Sequence, residues 1–487
     1  VLSRAVPPDA RRPHFLRPLA LAVASLAAVL ALALTPAEPR AARAQVDTHI
    51  GTVQNEYHIL LTTYYTPLDP VELLNAAWDG ALAYLRQHSA TTSAPRPQPG
   101  GDDESTAFAA FSTSWQTLVA ETAGKVDPVA VAFAADDAMA NSLQDDHTGF
   151  ISPSEYAQVQ SSIGGAQSTS TGLGIIGGAQ APHVVTEVAP GGPADKAGVH
   201  PGDTITAVNG TDVTQTSDQA YLKLLHADPG TTITLTVDRP GAGTLTIPVT
   251  IGSFSFPIFS SQVLPGRIGY MKLRGFPDPW TPLGDGKTFP QELDAALTSF
   301  QQAGVTTWVL DLRDNPGGST AANQALVGRF LADGRTAIAT DARGDRSESL
   351  VDGHPFPQQE PLVVLVNSNS ASSSEVTAAT LHDYGRAVLV GGRTAGALGT
   401  ALIFPLPDGA AVEVNAAQTT GSNDEQIDIT GVPVDMQADP PTAAQLAAGL
   451  QADPAVAAGV QAVQGQQVAP QPAPNDGTLP ADQLQAL

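Results

Sequence analysis

The stretch VLVNSNSASSSEV (364–376) places a run of serines where an apolar, strand-like segment gives way to a helix-like one. A serine at such a junction sees the positive end of a helix dipole and the free N–H groups of a first helical turn. Both favour an alkoxide and an oxyanion, the two charges that develop in acyl transfer. A plainer role fits the same residues, because Ser372-x-x-Glu375 has the spacing of a capping box, in which Ser372 only closes the helix. A second stretch, DLRDNPGG (311–318), ends another strand-like run in a Gly-Gly loop. Its N–H groups could turn into the same crevice and form the other half of an oxyanion hole, although Asn-Pro-Gly-Gly is also a common turn.

Both stretches need a scaffold, and the surrounding sequence describes one. VTTWVLDLR (305–313), PLVVLVN (361–367) and RAVLVGG (386–392) are short apolar runs of the kind found in strands buried on both faces. Helix-like segments such as SEVTAATLHDYG alternate with them. This predicts an α/β layer over 256–440 with largely parallel strands, whose carboxyl ends are where sites form. Residues 161–255 differ: Gly-rich turns separate HVVTEV, DTITAVNG and TTITLTV, with one helix-like patch, DQAYLKLLH. Residues 45–160 read as helical, since VELLNAAWDGALAYL (71–85) and DPVAVAFAADDAMANSL (127–143) repeat apolar residues at helical spacing around a solvated loop, SAPRPQPGGDDES (93–105). The Ala-, Gln- and Pro-rich end, 441–487, predicts one weak helix and a disordered tail. The fold class is therefore multi-domain α+β.

Composition narrows the function. A chain of 487 residues exceeds one hydrophobic core, and 42% hydrophobic residues is a globular content. Cysteine is absent, which excludes disulfides, cysteine–zinc sites, cysteine lipidation and a thiol nucleophile. The formal charge is −25, and an acidic body repels nucleic acid, so no nucleic-acid partner is expected. Arg11, Arg12 and Arg17 precede an apolar run, Leu19–Leu34, and ARAQ follows with small residues at Ala42 and Ala44. This predicts a signal peptide over 1–44, cleaved before Gln45 or retained as an anchor, and an extracytoplasmic body that is periplasmic, envelope-bound or secreted. Contact with a membrane is expected only through that segment, if it stays uncleaved.

GRIGYMKL (266–273), DLRDNPGG, VLVNSNSASSSEV, DYGRAVLVGGRTAG and GVPVD (431–435) occur in the order seen in the carboxyl-terminal processing (CtpA, tail-specific) serine peptidases, which the chain resembles from about 50 to 440. LQDDHTGFISPSEY (143–156) is similar to a segment that precedes their inserted PDZ domain. TGLGI (171–175), APGGPADKAGVHPGDTITAVNG and PGTTITLTVDRPG look like that domain itself. The resemblance implies a helical N-terminal region, a PDZ domain over 161–255 and a ClpP/crotonase-like protease core. It implies no metal or cofactor, and a polypeptide with a free carboxyl terminus as substrate. That terminus would bind the loop Gly172-Leu173-Gly174-Ile175, whose N–H groups suit a carboxylate and whose Leu173 and Ile175 would line an apolar pocket.

By the same resemblance Ser372 is the nucleophile, with oxyanion donors from the N–H groups of Gly317 or Gly318 and of Ser373. The lysine base and the glutamine that such peptidases carry would fall at 397 and 401, where this chain has Ala397 and Ala401. The last lysine in the chain is Lys287, so a shift of register does not restore the dyad. Tricorn-type relatives instead use a histidine from the upstream segment with an acidic partner. Those positions correspond here to His147 and Asp428, and His382 is a further candidate base. Arg313 and Arg393 are read as braces for carboxylates. Two readings stay open: an exported serine endopeptidase that captures polypeptide tails and hydrolyses them at Ser372, and an inactive pseudoprotease that binds tails as an adaptor. A purely structural envelope protein is a third.

Overall fold

The computed structural model describes residues 49–466, apart from 99, 102, 146, 164–168, 178–181 and 285. The expected export segment lies outside the described residues. Among these, no helix is long and apolar enough to cross a membrane.

Four helices come first: α1 (Ile50–Thr63), α2 (Pro70–Gln87), α3 (Glu104–Thr122) and α4 (Pro128–Asn141). Asp69, Asp103 and Asp127 cap the last three through their carboxylates, and proline stands in the first turn of α2 and α4, where a missing N–H costs nothing. Tyr57, Trp78, Phe111 and Trp115 fill the space between the helices. The chain then forms β1 (Gly149–Ile151) and α5 (Pro153–Ile163).

The next unit contains β2 (Ser170–Gly172), β3 (Ile175–Gly177), β4 (Val185–Val188), α6 (Pro193–Ala197), β5 (Thr204–Val208), β6 (Thr211–Asp212), α7 (Asp218–Leu225), β7 (Thr232–Arg239), β8 (Gly243–Thr250) and β9 (Gly252–Phe254). Its strands pair antiparallel around a core of Val185, Ile205, Tyr221, Leu235 and Val249. Among the described strands β3 pairs only with β4, so its other edge is open.

The α/β layer has the elements β10 (Phe259–Leu264), β11 (Ile268–Leu273), α8 (Phe289–Gln302), β12 (Thr307–Asp311), α9 (Thr320–Gly328), β13 (Arg335–Asp341), β14 (Arg346–Leu350), β15 (Leu362–Val366), α10 (Ser373–Asp383), β16 (Ala387–Gly391), β17 (Gly399–Pro405), β18 (Ala411–Thr420), β19 (Met436–Gln437), α11 (Ala443–Ala448) and α12 (Pro454–Ala462). The main sheet runs β10-β11-β12-β15-β16-β19, and every pairing after β10–β11 is parallel, as the apolar runs predict. Helices α8, α9 and α10 cover one face through Phe289, Leu297, Leu326 and Val376. A second, antiparallel sheet is built on β18, which pairs with β13, β17 and the distant β1.

The expectation of a weakly structured end from 441 is corrected for residues 441–466. Helix α12 closes the other face of the main sheet with Ala455, Val456 and Val463, and Gly459 lies directly against Val363. Helix α11 packs on Gly202 of the preceding unit. Small residues let these helices approach closely, and a composition poor in large apolar side chains therefore hides a packed segment. Residues from 467 on lie outside the described ones.

Glu187 on β4 joins the two units. It pairs with Lys272 at 2.8 Å and with Arg274, both at the end of β11, and the two cations hold its carboxyl below its usual range against the opposing effect of burial.

The helical region contains an uncompensated acid pair. Glu56 on α1 and Asp136 on α4 are fully buried, and none of their four carboxyl oxygens has a hydrogen-bond partner. Burial pushes both carboxyls well up. Asp136 and Asp137 raise Glu56 further, and Asp408 raises Asp136. Unfolded, both titrate near ~4, so the stability they contribute is complete below that pH and is lost as pH rises toward the folded values. Glu56→Gln is expected to stabilise the protein at pH 8 by about 1–3 kcal/mol, one pKa unit being worth about 1.4. The gain should vanish near pH 4, as read by denaturant unfolding at the two pH values.

Candidate active site

The site forms where β15 and β12 end side by side. Residues 367–372 turn from β15 into α10, and three of the serines there are committed to the loop after β12. Ser370 Oγ donates to the Leu312 carbonyl at 2.8 Å, Ser373 Oγ to Gly318 at 2.8 Å and Ser374 Oγ to Asn315 at 2.9 Å. The Ala371 N–H also donates to the Asn315 carbonyl, at 3.0 Å. The exposed Ser368 and Ser372 are the members whose hydroxyls make no bond among the described residues, and of the two only Ser372 stands at the start of α10. It is half-buried, and its backbone has φ 54° and ψ −120°, a conformation an L-residue adopts only under constraint. A strained strand-to-helix turn that presents a serine is the geometry of a nucleophile elbow.

The Gly-Gly loop lies against it as expected. Gly317 and Gly318 have φ of 102° and 135°, and a Cβ on Gly317 would fall 2.6 Å from that of Ser372. Only glycine allows this approach. The Gly317 N–H is taken by Asn315 Oδ1 at 2.9 Å. The N–H groups of Gly318 and Ser373 have no acceptor among the described residues and flank Ser372. Of the N–H groups expected as oxyanion donors, those of Gly318 and Ser373 are thus the ones left unoccupied among the described residues.

Glu375, fully buried, is the residue whose importance the spacing conceals. Its Oε1 accepts from Thr394 Oγ1 at 2.6 Å and from the Gly396 N–H at 2.8 Å. Its Oε2 accepts from the N–H groups of Ala397 and Ser372, each at 3.0 Å. Burial raises its pKa, and the hydrogen bonds oppose that rise. The helix N–H of Glu375 goes to the Ser372 carbonyl at 2.8 Å. The capping-box arrangement of Ser372 and Glu375 is thus present, although the Ser372 hydroxyl makes no cap hydrogen bond, and the carboxylate spans a second loop as well, 394–397. Ala397 sits beside Ser372, its carbonyl 3.0 Å from the Ser372 N–H.

His147 and Asp428 converge on the same short stretch. A Cβ on Gly399 would come within 2.6 Å of the His147 ring, so that glycine is required by close approach. Asp428 Oδ1 accepts from the Leu398 N–H at 3.3 Å, and the Ile429 N–H donates to Gly396 at 2.7 Å. Residues 396–399 thus touch Ser372, Asp428 and His147 in turn. Among the described residues the His147 ring makes no hydrogen bond to Ser372 or Asp428, and its Nε2 is buried without a partner.

Residues 267–438 match peptidase family S41, and residues 184–239 match a PDZ domain. The chain carries an S41 peptidase domain. Among its relatives, the chloroplastic carboxyl-terminal-processing peptidase 3 of Arabidopsis thaliana is 32% identical over 317 residues, covering 62% of this chain and 59% of the relative. The chloroplastic C-terminal processing peptidase of Tetradesmus obliquus is 34% identical over 316 residues, covering 61% and 66%. The chain thus spans about three-fifths to two-thirds of the relatives it matches. A solved structure of a photosystem II D1 C-terminal processing protease is similar at 26% identity and a TM-score of 0.48, covering 88% of this chain and 99% of that one.

The remaining expected residues fall into place around the S41 domain. His382 lies ten residues along α10 from Ser372, ~15 Å at helical rise, and its Nε2 meets Asp435 at 3.1 Å. It braces the helix and is too far away to act on Ser372. Arg313 clamps Asp311 and Asp453, as expected. Arg393 differs, since it holds the carbonyls of Thr430 and Gly431 and no carboxylate. In the PDZ domain, Gly172 pairs with Gly252 at the end of β2, and Gly174 has φ 78° against Phe254 and Ala189. Leu173 is 5% exposed and belongs to the domain core, so of the two apolar residues expected in the pocket only Ile175, half-buried at the start of β3, stands beside the open edge.

Capping and catalysis make opposite demands on stability. A serine that only capped α10 would cost about 1 kcal/mol on replacement by alanine. Ser372→Ala is expected to change the unfolding free energy by less than ~0.5 kcal/mol. Glu375→Gln, which places an amide N–H₂ against N–H donors, should cost about 1–3 kcal/mol. Urea unfolding of the two variants checks both values.

Proposed function

We propose that this protein is an exported serine-type endopeptidase that captures polypeptide carboxyl termini on its PDZ domain and hydrolyses them at Ser372. The observation that carries the reading is the uncommitted Ser372 hydroxyl on a strained turn between two free N–H groups. In the first step Ser372 Oγ attacks the scissile carbonyl as its proton passes to a base. The N–H groups of Gly318 and Ser373 hold the oxyanion, and collapse expels the amine, which takes the proton. Water then repeats the sequence on the acyl-enzyme. With Ala397 and Ala401 in place of a lysine and a glutamine, His147 is the base at hand, and its ring shares the 396–399 stretch with the nucleophile. Asp428 is the carboxylate on that stretch.

Hydrolysis of an unfolded protein substrate tests this. Ser372→Ala and His147→Ala should each remove nearly all activity, since residues acting as a unit fail together. The wild-type rate should rise with pH across the range in which imidazoles lose their proton. Full activity in His147→Ala would reject the histidine. Ala397 and Ala401 support the second reading, an adaptor that binds tails without cutting them. Under that reading the wild type cleaves nothing, and Ala397→Lys should introduce activity.

Tail capture has its own measurement. The open edge of β3 beside Gly174 suits strand addition with the terminal carboxylate at the Gly172–Ile175 loop. Peptides with a free apolar carboxyl terminus should bind at least ~10-fold more tightly than amidated ones in calorimetry, a difference of about 1.4 kcal/mol.

A further inference from the structure

Asn415 on β18 lies beside His147, although nothing in the motif pattern marks it. Its N–H donates to Oγ1 of Thr148, the residue after His147, at 3.0 Å, and its carbonyl accepts from the Tyr65 N–H at 3.0 Å. These bonds fix where its side chain starts. Asn415 is 6% exposed and His147 8% exposed. Asn415 Oδ1 and His147 Nε2 are both enclosed, and neither has a hydrogen-bond partner. They approach a common point: the position of a Cβ on Gly399 is 2.6 Å from the imidazole Cδ2 and 3.1 Å from Asn415 Oδ1. A buried acceptor and a buried ring nitrogen, each orphaned, thus flank one glycine. Each orphan is costly alone, and a small turn of the amide or the ring satisfies both. Asn415 also pairs across the ladder with Ala401, so an amide lies directly opposite that small residue.

We propose that Asn415 is the positioning residue of His147, accepting a hydrogen bond from Nε2–H through Oδ1 and thereby leaving the Nδ1 lone pair as the basic atom. The assignment rests on the reading of His147 as base. It gives the imidazole the orienting partner that a histidine base requires, in the form of an amide. Asp428 keeps its bond to the Leu398 N–H in this arrangement. The side-chain hydroxyl of Thr148 and the N–H of His147 both bond to Asp145, which fixes the backbone from the opposite side. Among the described residues, the ionisable groups on the elements around the ring are Asp145 in its own loop, Tyr64 and Tyr65 after α1, Glu413 on β18 and Asp428 after β18. A replacement at 415 therefore acts on the ring within a constant background.

The test is NMR of the full chain with ¹⁵N-labelled histidine, assigned through His147→Gln, which needs no catalytic activity. Neutral His147 should be the Nε2–H tautomer in the wild type. Asn415→Asp, which turns the acceptor into an anion, should raise the His147 titration midpoint by about 1 pH unit or more. Asn415→Leu, which keeps the bulk and removes the acceptor, should lower the midpoint and erode the tautomer preference. If Asn415→Asp does not fold, the wild-type tautomer and the leucine variant decide. An Nδ1–H tautomer, or a midpoint unmoved in the variants, overturns the assignment. Where peptide hydrolysis is measurable, its acidic limb should move with the midpoint in Asn415→Asp. His147→Ala with undiminished hydrolysis would overturn the parent reading instead. An inactive His147→Ala together with an unmoved midpoint would overturn the role of Asn415 alone.

Discussion

The buried carboxylate of Glu375 is the interaction on which the site depends. Four donors from two chain segments meet on its two oxygens: Ser372, Thr394, Gly396 and Ala397. A carboxylate without water is costly unless its lone pairs are filled. Its burial therefore forces the turn before α10 and the loop before β17 into one arrangement. The unfavourable φ of Ser372 is held by that arrangement, together with the serine bonds to residues 312–318. The geometry of Ser372 is thus an effect of polar satisfaction below it.

The loop 394–399 then acts as a common support. It meets Ser372 at Ala397, Asp428 at Leu398 and His147 at Gly399. In an S41 enzyme with a lysine, the base would project from this loop. Here the loop's side chains are small, and ionisable groups are brought to it from other elements. A cavity of about 440 Å³ lies elsewhere, between β4 of the PDZ domain, the end of β11 and α11, with Glu187, Lys272 and Arg274 in its wall. Glu187 in its wall pairs with both of these cations, across the contact between the PDZ domain and the end of β11.

Much of this was legible in the residues. The parallel sheet followed from three continuously apolar runs, because strands buried on both faces leave no room for polar alternation. Ser372 and the Gly-Gly loop followed from their places at strand ends. What the residues concealed was contact across long separations. Asn415 carries no local signal, and its relevance arises only when β18 pairs with β17 and bonds to Thr148. The fully buried Glu375 read as a cap residue because spacing reports only the bond to its own helix, while the bonds to 394–397 depend on tertiary structure. The segment 441–466 read as weak because alanine and glycine have little hydropathy, although their small size is what allows α12 to reach Val363.

One feature of the second sheet orders events in time. Strand β1, two residues after His147, is held to the protease core by pairing with β18, and the whole PDZ domain intervenes in the chain. The histidine and the serine therefore belong to segments made far apart during synthesis, and they come together only when the last strands of the core have closed on the first. A chain still emerging, or one threaded unfolded through a membrane, has the Ser372 turn without its neighbour across the sheet. Any hydrolytic chemistry these two side chains perform is consequently silent until folding is complete, without a separate inhibitory segment.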